Sequence, residues 1–273
     1  MRIATWNVNS VRSRLEQVVA WLEREGPDVL CLQETKVEDA AFPAEAFTAL
    51  GYTAVISGQK AYNGVAILSR LPLEDVRIGF DALLPDGPAL ALSEQKRVIS
   101  ALIEGVRVLN LYVPNGSSLR SEKYTYKLEW LACLRRYLEA QDGDGDPLCM
   151  VGDFNIALED RDIHDPSRLS GGIMASEAER QALRLALDER LSDVFRIFEP
   201  EPGHWSWWDY RSGAWDRDSG WRIDHIYVCE ELLERATGCL IHKSVRANEK
   251  PSDHAPVVVQ LQWPPEDGDE VPW

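Results

Sequence analysis

Apolar residues along the chain gather into short runs rich in β-branched and aromatic side chains: "RIATWNV", "DVLCLQE", "TAVIS", "GVAILS", "RVISALIE", "RVLNLYV", "PLCMVGDFN", "RIDHIYV" and "APVVVQLQ". Runs of this length and make-up predict strands. Between some of them the apolar spacing changes to three and four residues. Leu15, Val18, Val19 and Leu22 share one helical face, which Gly26-Pro27 closes. Tyr124, Leu128, Leu131 and Leu138 repeat the pattern, and Ser176 with Glu179 predicts a capping box ahead of "RQALRLAL". Such faces predict core packing.

At "RVISALIEGVRVLNLYV" two strands follow each other with only Glu104-Gly105 as a turn. A parallel pair needs a long crossover, so mixed or antiparallel sheets are predicted. With no linker or repeat, residues 1–263 read as one α/β domain, and 264–273, "PPEDGDEVPW", as an acidic flexible tail. A chain of 273 residues, 45% hydrophobic, has enough apolar content for a large core. No apolar run is long enough to cross a bilayer, and the alternating N-terminus is unlike a signal peptide. A soluble cytoplasmic protein is expected. The five cysteines, odd in number and set mostly in apolar runs, read as reduced core residues.

The net charge of −16 argues against a general polyanion binder, because phosphate contacts depend on Lys and Arg. Carboxylates gathered in a cleft are compatible with a divalent cation that supplies positive charge locally. "DGDGD" is no calcium loop, since the sixth position, where such a loop needs glycine, is Pro147. A surface turn is expected there.

Polar residues interrupt the apolar runs near their ends: Asn7 and Asn9 in "TWNVNS", Glu34 in "LCLQETK", Asp153 and Asn155 in "MVGDFN", Asp224 in "WRIDHI", Asp253 and His254 in "PSDHAP". A buried acid costs several kcal/mol unless a partner, proton or metal compensates it. Each alone is a turn or cap; together, at comparable points of different strands, they predict one pocket. Oxygen ligands from Asn7 and Glu34, with Asp153, Asn155 and Asp253 close by, suit Mg²⁺ or Mn²⁺ and not zinc. His254 is the group able to donate to a phosphate oxygen, and an acid such as Asp224 would hold its imidazole in one tautomer. The bland alternative makes Asp224 a structural partner of Arg222.

The stretches "WNVNS", "LQETK", "GVAILS", "NLYVPNG", "GDFN", "SWWDYR", "WRIDHI" and "PSDHAP", in this order, resemble the exonuclease III type of apurinic/apyrimidinic endonuclease, within the endonuclease, exonuclease and phosphatase superfamily. The likeness runs from Met1 to about Trp263. It implies a four-layer α/β sandwich of two packed mixed sheets flanked by helices. It also implies a Mg²⁺- or Mn²⁺-dependent repair nuclease that acts as a monomer on double-stranded DNA, at abasic sites and 3′ ends. By this resemblance Asn7 and Glu34 hold the metal, with Asp253 a further acid beside it. Asp153 orients or deprotonates the attacking water, Asn155 helps place it, Tyr112 points at the scissile phosphate, and Asp224 and His254 form an acid–histidine pair. Trp221 and Ile223 match part of a pocket for an extruded sugar. Its other wall falls at Met174 and Ala175, where many relatives carry a large aromatic, a departure that bears on abasic-site discrimination and not on cleavage. Asn115 and Arg211 complete the implied DNA contacts, the latter in an aromatic and arginine-rich stretch, "GHWSWWDYRSGAWDRDSGWR". A non-catalytic nucleic-acid-binding regulator of the family should have lost metal or histidine positions, and all are present. A phosphatase or phospholipase on the same scaffold is disfavoured by "NLYVPNG" and "SWWDYR".

Overall fold

Alternation decides which side of each strand meets which neighbour. In the first strand, Ile3 faces a second sheet while Ala4 and Trp6 face a helix layer. The computed structural model of the protein describes residues 1–264, so residues 265–273 of the expected tail lie outside the described residues. Twelve strands are present among the described residues: β1 (Arg2–Asn7), β2 (Val29–Gln33), β3 (Thr53–Ser57), β4 (Val65–Ser69), β5 (Glu74–Ile78), β6 (Val98–Ile103), β7 (Val106–Tyr112), β8 (Leu148–Asp153), β9 (Ser192–Asp193), β10 (Asp224–Val228), β11 (Ala236–Ile241) and β12 (Val257–Leu261). They form two six-stranded mixed sheets, ordered β11-β12-β1-β2-β4-β3 and β5-β6-β7-β8-β10-β9.

The expected four layers are all present. Between the sheets lie Ile3, Cys31, Ile67 and Val259 from one and Ile99, Val108, Val151 and Ile226 from the other. The Leu15–Glu25 helix packs Val18, Trp21 and Leu22 on the outside of the first sheet. The Glu122–Gln141 and Glu177–Leu187 helices cover the second with Trp130, Leu131, Leu134, Leu138 and Leu183. Gly26 ends the first helix in the left-handed conformation at φ 54°, its N–H donating to the Leu22 carbonyl at 2.9 Å, as the Gly-Pro stop predicts. The capping box at Ser176 and Glu179 is formed. Glu104 and Gly105, both at positive φ, close the β6–β7 hairpin. The "DGDGD" segment is a surface turn whose Asp142 and Asp144 pair with Arg190 and Arg77.

Each sheet holds one parallel pair, β1 with β2 and β7 with β8; every other pairing is antiparallel. A parallel pair needs a crossover, and the Leu15–Glu25 and Glu122–Gln141 helices supply it. The C-terminal ends of β1, β2, β7 and β8 therefore emerge on one rim of the sandwich, where open α/β sheets characteristically place their ligands.

Candidate active site

That rim collects the polar residues. Asn7 ends β1, Glu34 follows β2, and Tyr112 and Asp153 end β7 and β8. Because β10 runs antiparallel to β8, its first residue, Asp224, lies opposite Asp153. His254 precedes β12, which runs antiparallel to β1 and so starts at the same rim. Glu34 and Asn155 sit at φ 51° and 49°, backbone turns that swing each chain out of its strand.

The Asn7 amide NH₂ donates to Glu34 Oε1 and Asp153 Oδ2, both at 2.9 Å, and its oxygen accepts from the Asn9 N–H at 3.0 Å. Tyr112 Oη donates to Glu34 Oε1 at 2.9 Å. The imidazole of His254 approaches Asp224 Oδ2 through Nδ1 at 2.8 Å and Asp153 Oδ2 through Nε2 at 3.7 Å. Ser206 fixes the acid of this pair: its hydroxyl donates to Asp224 Oδ2 at 2.7 Å and accepts the N–H groups of Ile223 and Asp224. Asp153 Oδ1 accepts the Asn155 N–H at 2.9 Å. Asp253 is held by the amide of Asn9 and the indole N–H of Trp207, each at 3.0 Å.

Burial sets the electrostatics. Asp153, Asp224 and His254 are 1%, 1% and 3% exposed, so each charge needs a partner inside the protein. Burial works against the charged imidazole of His254, but the Asp224 and Asp153 carboxylates outweigh it and lift its pKa well above the ordinary value. Burial pushes the Asp153 carboxyl up, Asp224 and Glu34 add to that, and His254 and Asn7 oppose it. For Glu34 burial also disfavours charge, yet the Lys36 ammonium at 2.8 Å and the Asn7 hydrogen bond hold its carboxyl below the usual range. Burial, together with the neighbouring Glu34 carboxylate, drives the Tyr112 phenol well above its ordinary pKa, so it is a proton donor at neutral pH.

Asp153, Asp224 and His254 form a buried group whose ligand atoms lie within 4.8 Å of one another and could hold a metal. With its Nδ1 engaged by Asp224 and its ring lifted toward the protonated form, His254 is better suited to donate than to ligate, since a protonated imidazole has no free lone pair. The oxygen donors suit a hard divalent cation. Glu34 is paired with the Lys36 ammonium, Asp153 and Asp224 share the His254 imidazole, and Asp253 lies within the field of the Arg246 guanidinium.

The remaining expected residues separate into two places. Met174, Trp221 and Ile223 pack with Ala157, Ile163 and Ala175 in a small apolar cluster, and Asn115 reaches it, its amide donating to Asn155 Oδ1 at 2.9 Å and facing the Met174 sulfur at 3.4 Å. This cluster adjoins the site through Asn155. Arg211 does not join it; its side chain is 86% exposed and paired with Asp209. Arg222 pairs with Asp162 and Asp193 and not with Asp224, which removes the bland alternative for that acid. Of the tryptophans in the aromatic and arginine-rich stretch, Trp205, Trp208 and Trp221 are buried. Lys36, Ser206 and Lys127 are site-supporting residues that strand patterning passes over, while Asn9, read among the strand-end polar residues, supports the site by holding Asp253. Lys36 in "LQETK" was the one with a visible signal, two positions from a candidate ligand.

Comparison with known proteins gives the arrangement its lineage. The family described as "Endonuclease/Exonuclease/phosphatase family" matches residues 4–254, a span that includes every residue of the rim site. The chain belongs to this family. Within it the exonuclease III/AP endonuclease branch is the one it resembles throughout. It is 38% identical to exodeoxyribonuclease III of Haemophilus influenzae, over 96% of this chain and all of that protein. It is 32% identical to the exodeoxyribonuclease of Bacillus subtilis, over 94% and 98%. Among solved structures, the 3′ phosphatase NExo from Neisseria, bound to a product DNA hairpin, superposes with a TM-score of 0.90 at 42% identity, covering 96% of this chain and all of that one. An AP endonuclease from Archaeoglobus fulgidus gives 0.89 at 41%, covering 96% and 99%. As a member of this branch the chain is a DNA repair nuclease, a phosphodiesterase of a metal-dependent family. Among the described residues no helix is long and apolar enough to cross a membrane.

Proposed function

We propose that the protein, a cytoplasmic monomer, uses Mg²⁺ or Mn²⁺ to cut the strand of double-stranded DNA beside abasic sites and to remove nucleotides or blocking groups from 3′ ends. The observation that carries this reading is the convergence of Asn7, Glu34, Tyr112, Asp153, Asp224 and His254 on one rim from six segments of both sheets. Hydrolysis of a phosphate ester needs a placed water, neutralisation of the developing oxyanion and help for the departing oxygen.

Glu34 and Asp253, with Asp153 and the amides of Asn7 and Asn155, are the groups that would hold the ion. When bound it supplies Lewis-acid charge to the phosphate. Asp153, fixed by the Asn155 N–H and by Asn7, orients the attacking water and takes its proton. His254, kept protonated by Asp224, donates to a non-bridging phosphate oxygen. Tyr112 offers its phenolic proton toward the same phosphate. Asn115, Met174, Trp221 and Ile223 line the approach of the cleaved strand, and Arg211, at the surface, contacts DNA farther out. Both substrates are kept in the proposal because the Met174–Trp221–Ile223 cluster adjoins the catalytic loop at Asn155 and is apolar, as an extruded sugar requires.

The experiment is cleavage of a duplex carrying one abasic analogue, beside a duplex with a recessed 3′ end, each with Mg²⁺ or EDTA. Metal-dependent incision 5′ of the lesion and erosion of the 3′ end are both expected. Erosion alone would restrict the function to 3′-end processing. Failure of both would sink the proposal.

A further inference from the structure

Lys127 stands on the core-facing side of the Glu122–Gln141 helix and is 0% exposed, as is Glu179, its partner at 2.6 Å. The ammonium has three protons and three acceptors: Glu179 Oε1, the Asn155 carbonyl at 2.7 Å and the Asn115 carbonyl at 3.2 Å. Glu179 in turn accepts the Met174 N–H at 3.1 Å on Oε1, and the Ser176 N–H and hydroxyl on Oε2. One buried ion pair thus fastens three loops that meet nowhere in sequence: the one carrying Asn115, the one carrying Asp153 and Asn155, and the one carrying Met174. The packing around it is close, since a Cβ added at Gly116 would stand 3.2 Å from Lys127 Cδ and 3.0 Å from Ile173 Cδ1.

A fully buried ion pair is a poor way to gain stability, because desolvation offsets the attraction. Apolar residues would fill this space as well. What they could not do is hold two carbonyls and two N–H groups from separate loops at fixed positions.

We infer that Lys127 and Glu179 are positioning residues, which register the water-placing loop at Asn155 against the strand-binding loops at Asn115 and Met174. This rests on the proposed function. Neither residue touches substrate; they act through Asn155 and Met174. Misplacing reacting groups by about 1 Å can cost on the order of 10²-fold in rate, so such registration is felt in turnover.

The test compares the parent with K127M and with the double variant K127M/E179Q on the 3′-recessed and abasic duplexes, reading kcat and KM together with Tm. K127M leaves an unpaired buried carboxylate and should lower Tm. The double variant leaves no unpaired charge and should recover most of that Tm, while kcat stays roughly 10- to 100-fold below the parent with KM nearly unchanged. Recovery of parental kcat along with Tm would overturn the inference and leave the pair a structural element only. Should neither fold, E179Q alone serves, an isosteric change expected to lower kcat with KM held; parental kcat would overturn the inference. Failure of the proposed function shows up separately, as a parent without metal-dependent activity on either duplex.

Discussion

Asp153 and Asp224 are direct cross-strand partners, set opposite each other in the antiparallel β8–β10 pair, both buried and both acidic. Like charges so placed repel, and burial raises the cost. The imidazole of His254 lies between them, 2.8 Å from one carboxylate and 3.7 Å from the other. The chain thus tolerates an unfavourable strand pair by holding a cation against it, and a histidine bound in this way is kept protonated.

From this follows the first expectation. Replacing His254 with alanine, or Asp224 with asparagine, should lower kcat on a duplex substrate by roughly 10²- to 10³-fold, the usual cost of losing a donor to a developing oxyanion. Far-ultraviolet circular dichroism should stay near that of the parent. Turnover within tenfold of the parent would remove His254 from the catalytic set.

Glu34 accepts from Asn7, Tyr112 and Lys36 at once, and its charge is the one best placed to hold a cation beside Tyr112. EDTA should abolish cleavage, and Mg²⁺ or Mn²⁺ should restore it. In Glu34→Gln the metal concentration for half-maximal activity should rise tenfold or more. An unchanged metal titration would place the ion elsewhere, with the Asp153, Asp224 and His254 group the next candidate.

His225 carries a pH dependence of stability that is separate from the site. It is 0% exposed, accepts from the Tyr227 hydroxyl at Nδ1 and donates from Nε2 to the Arg222 carbonyl at 3.2 Å, the pattern of a neutral ring. Burial and the adjoining Arg222 guanidinium depress its pKa to about 4. The unfolded chain takes up this proton near pH 6.5, so stability is full above that value and falls as pH drops toward 4, by about 3 kcal/mol in all. Denaturant unfolding at pH 7 and pH 4.5 should show the loss in the parent and a smaller one in His225→Gln. Equal losses would assign the acid lability elsewhere. Asp162, whose buried carboxyl is held low chiefly by Arg222, contributes stability that is lost only at more acid pH.

Gly152 stands one residue before Asp153, and a Cβ there would meet the Leu111 carbonyl oxygen at 2.0 Å. Backbone, unlike a side chain, cannot turn away. Gly152→Ala should therefore cost on the order of 3 kcal/mol or more through overpacking and strain at φ 149°. A Tm within a few degrees of the parent would show that β7 and β8 can shift without harm.

The central strands and the rim residues were legible because burial on both faces makes an apolar run, and a polar residue at its end then stands out. Three strands left no such mark. β5 reads "EDVRI" and is mostly exposed at one edge of its sheet, β9 at the opposite edge has two residues, and β11, at an edge of the other sheet, carries Gly238 beside an irregular register. Edge strands are paired on one side and need little apolar content. Lys127 escaped for the opposite reason. Helical spacing proposed Tyr124 and Leu128 for the inner face, yet both are partly exposed and the lysine is buried, since a charge fully paired by loops distant in sequence leaves no local trace.

The pairing of β1 with β12 has a consequence for synthesis. Arg2 to Thr5 align with Gln260 to Val257, so the first strand made waits for the last before its sheet can close. Asn7 is made first, while Asp224 and His254 follow it only after most of both sheets has been made. A polypeptide that ends before residue 254 lacks the imidazole, so, with His254 in the role proposed for it, such a fragment should not cut DNA however much of the first sheet it carries.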